Sequence, residues 1–470
     1  MSMSIQRSPE IEYAPKASSH GSYRMSRVLP LGNTTATLAA SSTTEIQFEI
    51  PNKVYNLSKS SLDFDLRAAE SGTTDAINRV HTNGLVMFDR MSLYDRSGVY
   101  LMDITNFNTY SNCVNQLVTP LDKMLTNDKA LGGATLADAR AADLGHNNFR
   151  SNVAVPTATP GVALGPNGTR ISAAGAAQAP SNGSTEITYF KQGVARDGSN
   201  AGDVYCSYSI PLSELHHSIC SLDKDLYFGQ SLILRCHFAP VSRIGFVGTS
   251  ATVLATGKAV LDGAVTLSNM NINLAVEVSP PVVESIQNKV RSSGLEVIIP
   301  YVYSYLFSSA SGTSSNVQYR FNSGHGQRLL NVYHAVLNTG ADSVVIYDKD
   351  NQADAKIVSY QTSLDNVPLQ ESRPICAQAD DWMLHRELLQ KSCIQNLNIY
   401  RHNKVHIDSW RAGPCASWKD RDGIADGVSL DNERIWAAEF TTASAAYRHF
   451  TFAVVQRNLT INNNGSIQMK

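Results

Sequence analysis

TEIQFEIPNKVYNLSKSSLDFDL, the stretch Thr44–Leu66, contains two short segments in which apolar and polar residues alternate. In the first, Thr44–Ile50, every second residue is apolar, and Pro51 and Asn52 end the pattern. In the second, Ser61–Leu66, leucine, phenylalanine and leucine again occupy alternate positions. Because successive side chains of a strand point to opposite faces, this period of two predicts half-buried β-strands.

Strand-like segments of this kind recur along the chain. They are Gly84–Tyr94, Val99–Ile104, Tyr205–Ile210, Ser231–Phe238, Leu295–Phe307, Arg328–Leu337, Ser343–Tyr347, Ile394–Tyr400, Lys404–Trp410, Arg434–Phe440 and Tyr447–Ile461. The clearest helix is Pro280–Ser293, with Ser279 as its N-cap and Gly294 as its stop, and Ala379–Lys391 is a second candidate. Many short strands with few helices predict an all-β chain built from sandwiches.

The 470 residues exceed what one hydrophobic core usually organises, so two or three domains are expected. Residues 1–40 are predicted to be an extended arm that is ordered only by neighbouring molecules. A first sandwich is expected over 41–245, with 131–200 as a long surface-loop insertion. A linker over 246–268 and a second sandwich over 269–470 complete the expected organisation.

Composition narrows the function classes. Charged residues make up only 17% of the chain and the formal net charge is -2, so a basic arm that packages nucleic acid is not expected. A polar but neutral surface suits broad protein–protein contact. The N-terminal residues lack the apolar segment of a secretory signal, so secretion is not predicted. The sequence also lacks a run of about 18 apolar residues, so no membrane span is predicted. The scattered cysteines are predicted to be free, largely buried thiols: Cys113, Cys206, Cys220, Cys236, Cys376, Cys393 and Cys415.

Four segments resemble the double jelly-roll major capsid proteins of polinton-like viruses, adintoviruses and virophages, within the wider lineage of adenovirus hexon and tailless-phage capsid proteins. They are IPNKVYNLSKSSLDFDL (Ile50–Leu66), SIPLSELHHSICSLDKDLYFGQSLILRCHF (Ser209–Phe238), the section Asn269–Leu337 and RHFTFAVVQRNLTINNNGSIQMK (Arg448–Lys470). The resemblance covers roughly Thr44 to Lys470 without the insertion, and the order of the motifs carries it. The fold class it implies is all-β, with two tandem jelly-roll β-sandwiches, short helices and a long loop insertion.

The resemblance also implies a function. It predicts a structural major capsid protein that forms homotrimeric, pseudo-hexagonal capsomers, and these would tile the icosahedral shell of a double-stranded DNA virus. The expected partners are the chain itself, neighbouring capsomers, a pentameric vertex protein and minor capsid proteins, within a virion assembled in the host cytoplasm or nucleus. Host, shell size, receptor and an internal membrane stay open.

Common catalytic and nucleotide-binding motifs are absent from the sequence, so no enzyme activity, cofactor, catalytic residue or metal ligand is predicted. Three weaker features remain. His402, His406 and Asp408 could converge on one strand face as metal ligands or be ordinary polar residues. Asp420, Asp422 and Asp426 could supply oxygens to Ca²⁺ or form an acidic turn up to Gly427. His216 and His217, in a possible short helix with Leu212, Leu215 and Ile219, could titrate near pH 6 or be partly buried.

Two other functions fit a β-sandwich chain. The first is a carbohydrate-binding attachment protein, a lectin or spike, although the insertion holds only Phe149, Tyr189 and Phe190 as aromatic residues for stacking on sugars. The second is a carbohydrate-active enzyme, which requires two carboxylates placed across a cleft. No pair of acids in the sequence stands out by its spacing.

Overall fold

The computed structural model describes residues 22–68, 76–81, 84–115, 118, 170–171, 177–178, 190–192, 204–249, 259–260, 264–308, 314–322, 324, 326–338, 357–375, 405–411, 427–442 and 447–470. These residues are mostly β-strand, as predicted. Three predicted elements, Ser343–Tyr347, Ala379–Lys391 and Ile394–Tyr400, lie outside these ranges, as does nearly all of the insertion.

The strands that precede residue 280 form the first sandwich and two small additional sheets. They are β1 (Tyr23–Val28), β2 (Ala36–Thr37), β3 (Thr44–Ile50), β4 (Tyr55–Ala68), β5 (Ala76–His81), β6 (Phe88–Asp95), β7 (Tyr100–Thr105), β8 (Arg170–Ile171), β9 (Ala177–Gln178), β10 (Phe190–Gln192), β11 (Val204–Pro211), β12 (Leu232–Phe238), β13 (Gly245–Thr249), β14 (Ala259–Val260) and β15 (Val265–Glu277).

Two antiparallel sheets make up the first sandwich. Sheet 1 has the order β1-β15-β4-β11, with β2 also paired to β15, and sheet 2 has the order β3-β12-β6-β7. Phe64 of β4 meets Phe88 and Phe238 of sheet 2 at ring-centroid distances of 6.0 and 5.3 Å. The alternating segments Thr44–Ile50 and Ser61–Leu66 therefore do line a core, as predicted, and the first of them has the predicted bounds.

The predicted boundary between the two halves is wrong. Strand β15 pairs with β1 and β4 in sheet 1, so most of the residues assigned to the start of the second sandwich belong to the first. The register of β15 shifts between Ser268 and Asn271, and Asn269 has a φ of 53°. This bulge moves the buried positions from Val265 and Leu267 to even-numbered residues, which hides the strand from a search for period two.

The predicted arm is also shorter than expected. Residues 1–21 lie outside the described ranges, but β1 and β2 pair with β15 of the same chain. Pro30 and Leu38 are buried. The part of the arm from residue 22 onward is therefore ordered by its own chain rather than by a neighbour.

Helices in the described part of the chain are short, apart from one. They are α1 (Phe107–Tyr110), α2 (Val241–Ile244) and α3 (Pro280–Ser293). The bounds of α3 and its stop at Gly294, with a φ of 72°, agree with the prediction, whereas the Ser279 side chain makes no capping hydrogen bond. Gly84–Met87, predicted as strand, is a 3₁₀ turn. Within the described ranges, no helix is long and apolar enough to span a membrane.

Strands after α3 build the second sandwich. They are β16 (Leu295–Ser308), β17 (Ser314–Phe321), β18 (Arg328–Asn338), β19 (Ile357–Leu364), β20 (Val367–Pro368), β21 (Val405–Ser409), β22 (Val428–Ser429), β23 (Arg434–Thr442), β24 (Tyr447–Ile461) and β25 (Ile467–Met469). Sheet 3 has the order β16-β24-β18-β21, with β22 on β18 and β25 on β24, and sheet 4 has the order β17-β23-β19-β20.

Sheet 3 is buried on both faces and joins the two halves. Along β24, Phe452 and Val454 pack with the first sandwich, while Ala453 and Val455 pack with sheet 4. Phe452 lies 5.2 Å from the ring of Tyr110 in α1. A strand covered on both faces carries an uninterrupted apolar run instead of an alternating one. The layers therefore follow the order first sandwich, sheet 3, sheet 4.

Candidate assembly surfaces and buried polar clusters

One edge of the first sandwich is closed by the segment 22–31. Its β1 part pairs with β15 of sheet 1, and Pro30 forms a bridge to Phe48 of sheet 2. The backbone N–H of Leu31 then donates to the carbonyl of Gln47 at 2.8 Å. A single segment thus covers two sheet edges that would otherwise present unpaired N–H and C=O groups.

The outer surface of this segment, which we call the N-terminal flank, is apolar and basic. Met25, Leu29 and Leu31 are 59%, 52% and 57% exposed. Arg27 lies between Met25 and Leu29, is exposed, and forms no ion pair with any carboxylate that the structure describes. Large apolar side chains exposed together are typical of a protein–protein contact surface.

A second exposed apolar surface lies at the free edge of sheet 4. Asp365 and Asn366, with φ of 52° and 64°, form a tight turn that joins β19 to β20. The turn presents Val367, which is 65% exposed, and the chain then returns along β19 until Ile375 bridges to Ser359. We define the β20 edge as Val358, Val367, Leu369, Glu371 and Ile375, all exposed.

The segment that carries the β20 edge is held firmly against sheet 4. Arg373 lies across the strands, and its Nε donates to Ser359 Oγ at 3.1 Å. Its two terminal nitrogens donate to Glu439 Oε1 and Thr441 Oγ1, each at 2.8 Å. These bonds fix the position of the exposed apolar side chains before any partner binds.

The two surfaces belong to different sandwiches. Within the first sandwich, the N-terminal flank covers the β15 and β3 edge, while β7 at the other edge of sheet 2 lies beside β16 of sheet 3. The β20 edge belongs to sheet 4, which lies beyond sheet 3. A copy of the chain can therefore offer two different surfaces to its neighbours.

His406 and Asp408, two of the three residues considered as metal ligands, are buried side by side in the second sandwich, and His402 lies outside the described ranges. His406 Nε2 is 3.1 Å from Asp408 Oδ1, and Trp436 Nε1 donates to Asp408 Oδ2 at 2.8 Å. Burial opposes ionisation of Asp408, but the attraction of His406 and the hydrogen bonds from His406, Trp436 and Thr362 outweigh it and lower its pKa. The carboxylate therefore acts as an internal acceptor that joins β19, β21 and β23.

A second histidine pair, which the sequence did not suggest, lies next to this cluster. His334 Nε2 is 2.9 Å from His449 Nδ1, and His334 Nδ1 is 2.7 Å from Thr451 Oγ1. Burial, with the neighbouring His449 and His406, holds the pKa of His334 well below its usual value. Burial lowers the pKa of His449 to about 4. Both imidazoles are thus neutral at pH 7.

The sequence suggested that His216 and His217 lie in one short helix. They lie instead between two 3₁₀ turns, Leu212–Glu214 and Ile219–Ser221. His217, with a φ of 55°, is buried, and its Nδ1 is 2.8 Å from the hydroxyl of Tyr110. Burial, with nearby His216 and Arg411, holds its pKa well below the usual range. This arrangement makes His217 a fixed part of the contact between the first sandwich and sheet 3.

The remaining candidate residues are the three aspartates of the acidic turn and the cysteines. Asp420, Asp422 and Asp426 lie outside the described ranges. Gly427, with a φ of 78°, passes so close to the Leu329 carbonyl that a Cβ would lie 2.2 Å from it, so the turn requires glycine there. Among the described residues, no three His, Cys, Asp or Glu side chains are grouped to hold a metal ion. Cys113, Cys220 and Cys236 are buried free thiols, and burial raises the pKa of Cys220 to about 12.

No protein-family model and no curated protein sequence matches the chain. Solved structures do match it. The Faustovirus major capsid protein aligns with a TM-score of 0.51 and 10% identity over 94% of this chain and 90% of its own. PBCV-1 VP54, in a crystal structure fitted into a reconstruction of the virophage Sputnik, aligns with a TM-score of 0.50 and 9% identity over 96% and 97%. At this identity the likeness concerns the fold, and the chain has the double jelly-roll fold of viral major capsid proteins.

Proposed function

We propose that this chain is the major capsid protein of a double-stranded DNA virus and that it works as a homotrimeric building block of an icosahedral shell. The observation that carries the proposal is the extent of the fold likeness, which runs through both sandwiches and nearly the full length of both chains compared. The near-neutral, charge-poor composition fits a surface that is largely covered by other protein.

The two exposed surfaces supply a contact for the trimer. The N-terminal flank is apolar with the basic Arg27, whereas the β20 edge is apolar with Glu371. A contact between the flank of one copy and the edge of the next joins apolar to apolar and basic to acidic groups. Such a contact between two different surfaces is heterologous, and it forms a ring when its rotation closes. Three copies then place six sandwiches in a pseudo-hexagonal tile.

A structural rather than catalytic role agrees with where the ionisable groups lie. His334, His406 and Asp408 are sealed between sheets 3 and 4, so none of them faces a surface where a substrate could bind. No described feature favours the sugar-binding alternative. In the proposed shell, neighbouring capsomers, minor capsid proteins and a pentameric vertex protein are the partners, and the virion is the location.

Light scattering coupled to size exclusion tests the proposal, with electron microscopy of the same peak. We expect a mass of three copies of the 51.1 kDa chain and particles with six-fold-looking outlines. A monomer at micromolar concentration would reject the trimer. A glycan array tests the sugar-binding alternative, which predicts strong and specific binding to particular glycans.

A further inference from the structure

A cleft of about 600 Å³ opens where the two sandwiches meet. The start of β7, with Val99 and Tyr100, forms the side that belongs to the first sandwich. Tyr301 of β16, Arg457 of β24 and the β25 segment form the other side. The cleft lies apart from the N-terminal flank and from the β20 edge, so the proposed trimer contact does not use it.

Arg457 forms no ion pair with any carboxylate among the described residues. Its guanidinium lies over the ring of Tyr301, 5.0 Å from the centroid, and one terminal nitrogen donates to the Met469 carbonyl at 3.3 Å. Its Nε is buried and has no hydrogen-bond partner in the part of the chain that the structure describes. A nearby carboxylate, Asp103, is bound in a two-bond pair to Arg90. An anionic group that enters the cleft can pair with this guanidinium, which lines the cleft, and its binding is therefore favoured.

The other lining residues define what kind of anion fits. Val99 and Met469, which are partly exposed, provide an apolar floor, and the exposed Lys470 also lines the cleft. A small inorganic anion would leave that floor uncovered. The site therefore suits an extended peptide whose acidic and apolar side chains point to opposite sides.

The chain contains such a peptide near its N-terminus, outside the described ranges. Residues Pro9–Pro15 read PEIEYAP, so Glu10 and Glu12 alternate with Ile11 and Tyr13. In an extended backbone the acidic residues point one way and the apolar residues the other. The two prolines favour that extended conformation and oppose a helix.

We propose that Pro9–Pro15 of one copy binds in extended form in the cleft of a neighbouring copy. Glu10 and Glu12 face Arg457 and Lys470, and Ile11 with Tyr13 cover the apolar floor. The inference rests on the proposed self-assembly, to which it adds a second, strap-like contact between copies.

The point where the arm leaves the sandwich supports binding to a neighbour. The N–H of Ser22 is held by Glu277 Oε1 at 2.9 Å, beside the N-terminal flank that faces the next copy in the proposed ring. Six residues separate Pro15 from Ser22, and an extended chain of that length spans roughly 20 Å. This distance equals about four strand spacings of a neighbouring sheet.

Photo-crosslinking of the full-length protein tests the inference. The photoreactive residue p-benzoylphenylalanine replaces Tyr13, the assembled protein is irradiated, and the products are separated on a denaturing gel. We expect a band at the mass of two linked chains, with the crosslink mapped by mass spectrometry to Tyr301 or Met469. Crosslinked products only at the mass of one chain, or crosslinks mapped elsewhere, would overturn the inference.

Charge variants test the recognition itself. Arg457→Gln should lower the yield of the two-chain band about tenfold, as expected when one charge-assisted hydrogen bond is lost. Arg320→Gln is the matched control, because Arg320 is an exposed arginine of sheet 4 paired with Glu433, and its yield should not change. The double variant Glu10→Gln, Glu12→Gln alters no described residue and should reproduce the loss. An unchanged yield in that double variant would refute the recognition even if Arg457→Gln failed to fold.

The oligomeric mass of each sample separates this inference from the proposed function. Trimers that persist without the crosslink reject the strap contact alone. A monomeric mass rejects both the strap contact and the capsomer.

Discussion

His334 and His449 show how the second sandwich buries groups that titrate. They are hydrogen-bonded to each other, and Phe440 stacks on His334 at a ring-centroid distance of 4.2 Å. Among the described residues, His406 is the further titratable group that lowers the pKa of His334, and Asp408 lies 3.1 Å from His406. Protonating either member of the pair puts a charge into a closed core, which the folded chain resists.

The consequence is acid sensitivity within a defined pH window. An unfolded histidine titrates near pH 6.5, whereas the pKa of His449 in the folded chain is lowered to about 4. Between these values the unfolded chain binds the proton and the folded chain does not. The free energy of unfolding is therefore complete above about pH 6.5 and falls as the pH drops towards 4, by about 3 kcal/mol for His449 alone. Urea unfolding at pH values between 7 and 4 measures this loss.

Two variants test whether His449 causes this fall of the free energy of unfolding with decreasing pH. His449→Leu removes one of the proton-binding groups, so its stability should fall less steeply with pH than that of the original chain. Phe440→Leu is the control, since it loosens the same core without removing a titratable group and should lower stability by about 1 kcal/mol at every pH. An unchanged slope in His449→Leu would show that acid acts elsewhere.

The sequence predicts which of these residues are neighbours only when they lie close together along the chain. His406 and Asp408 were candidates because they lie two positions apart on one predicted strand. His334 and His449 could not be paired in advance, since only the register of β18 with β21 and β24 sets His334 opposite His406 and Thr451. The same applies to Arg457 and Tyr301, which meet across sheet 3.

Strands were predicted well where alternation or apolar content was continuous and poorly where it was interrupted. The bounds of Tyr447–Ile461 agree with the prediction, and the centre of this strand, Phe452–Val455, is the uninterrupted apolar run expected of a strand buried on both faces. Strand β15 was missed because its bulge shifts the pattern by one residue. Strand β1 was missed because it is a partly exposed edge strand whose partner lies far away in the sequence. The local alternation of apolar and polar residues predicts which side chains are buried. It does not predict which strands pair, because the partner strand lies elsewhere in the sequence.

The segment 22–31 covers the edges of β15 and β3, and two truncations test this role. Deleting residues 1–21 leaves β1 in place and should change the melting temperature by less than about 2 °C, while impairing shell assembly. Deleting residues 1–31 also removes the segment that covers β15 and β3, and should lower the melting temperature by at least about 5 °C and promote aggregation. Calorimetry and light scattering measure both effects. Equal stability of the two truncated chains would show that the flank does not protect these edges.

The layered architecture gives the whole molecule two different ends. The centre of sheet 3 is covered on both faces, as Phe452–Val455 of β24 show. Among the described residues, the N-terminal flank and the β20 edge are two exposed apolar surfaces that carry opposite charge. This asymmetry favours a head-to-tail ring over a two-fold dimer, in which each surface would meet its own copy.

A mixing experiment distinguishes these two geometries. In the proposed ring, Met25→Asp would place an acid opposite Glu371 of the next copy, and Val367→Lys would place a cation opposite Arg27. Each variant alone should be monomeric, with its association weakened roughly a hundredfold, because like charges across an interface cost several kcal/mol.

In a mixture of the two variants, every Met25→Asp chain still has an intact β20 edge and every Val367→Lys chain an intact flank, so complexes of both chains should form again. Leu306→Lys changes an exposed leucine of β16 outside both surfaces and should keep the original mass. The masses from light scattering decide the outcome. A two-fold contact through one surface predicts that one single variant stays associated and that mixing restores nothing, whereas a ring of unlike surfaces requires the recovery.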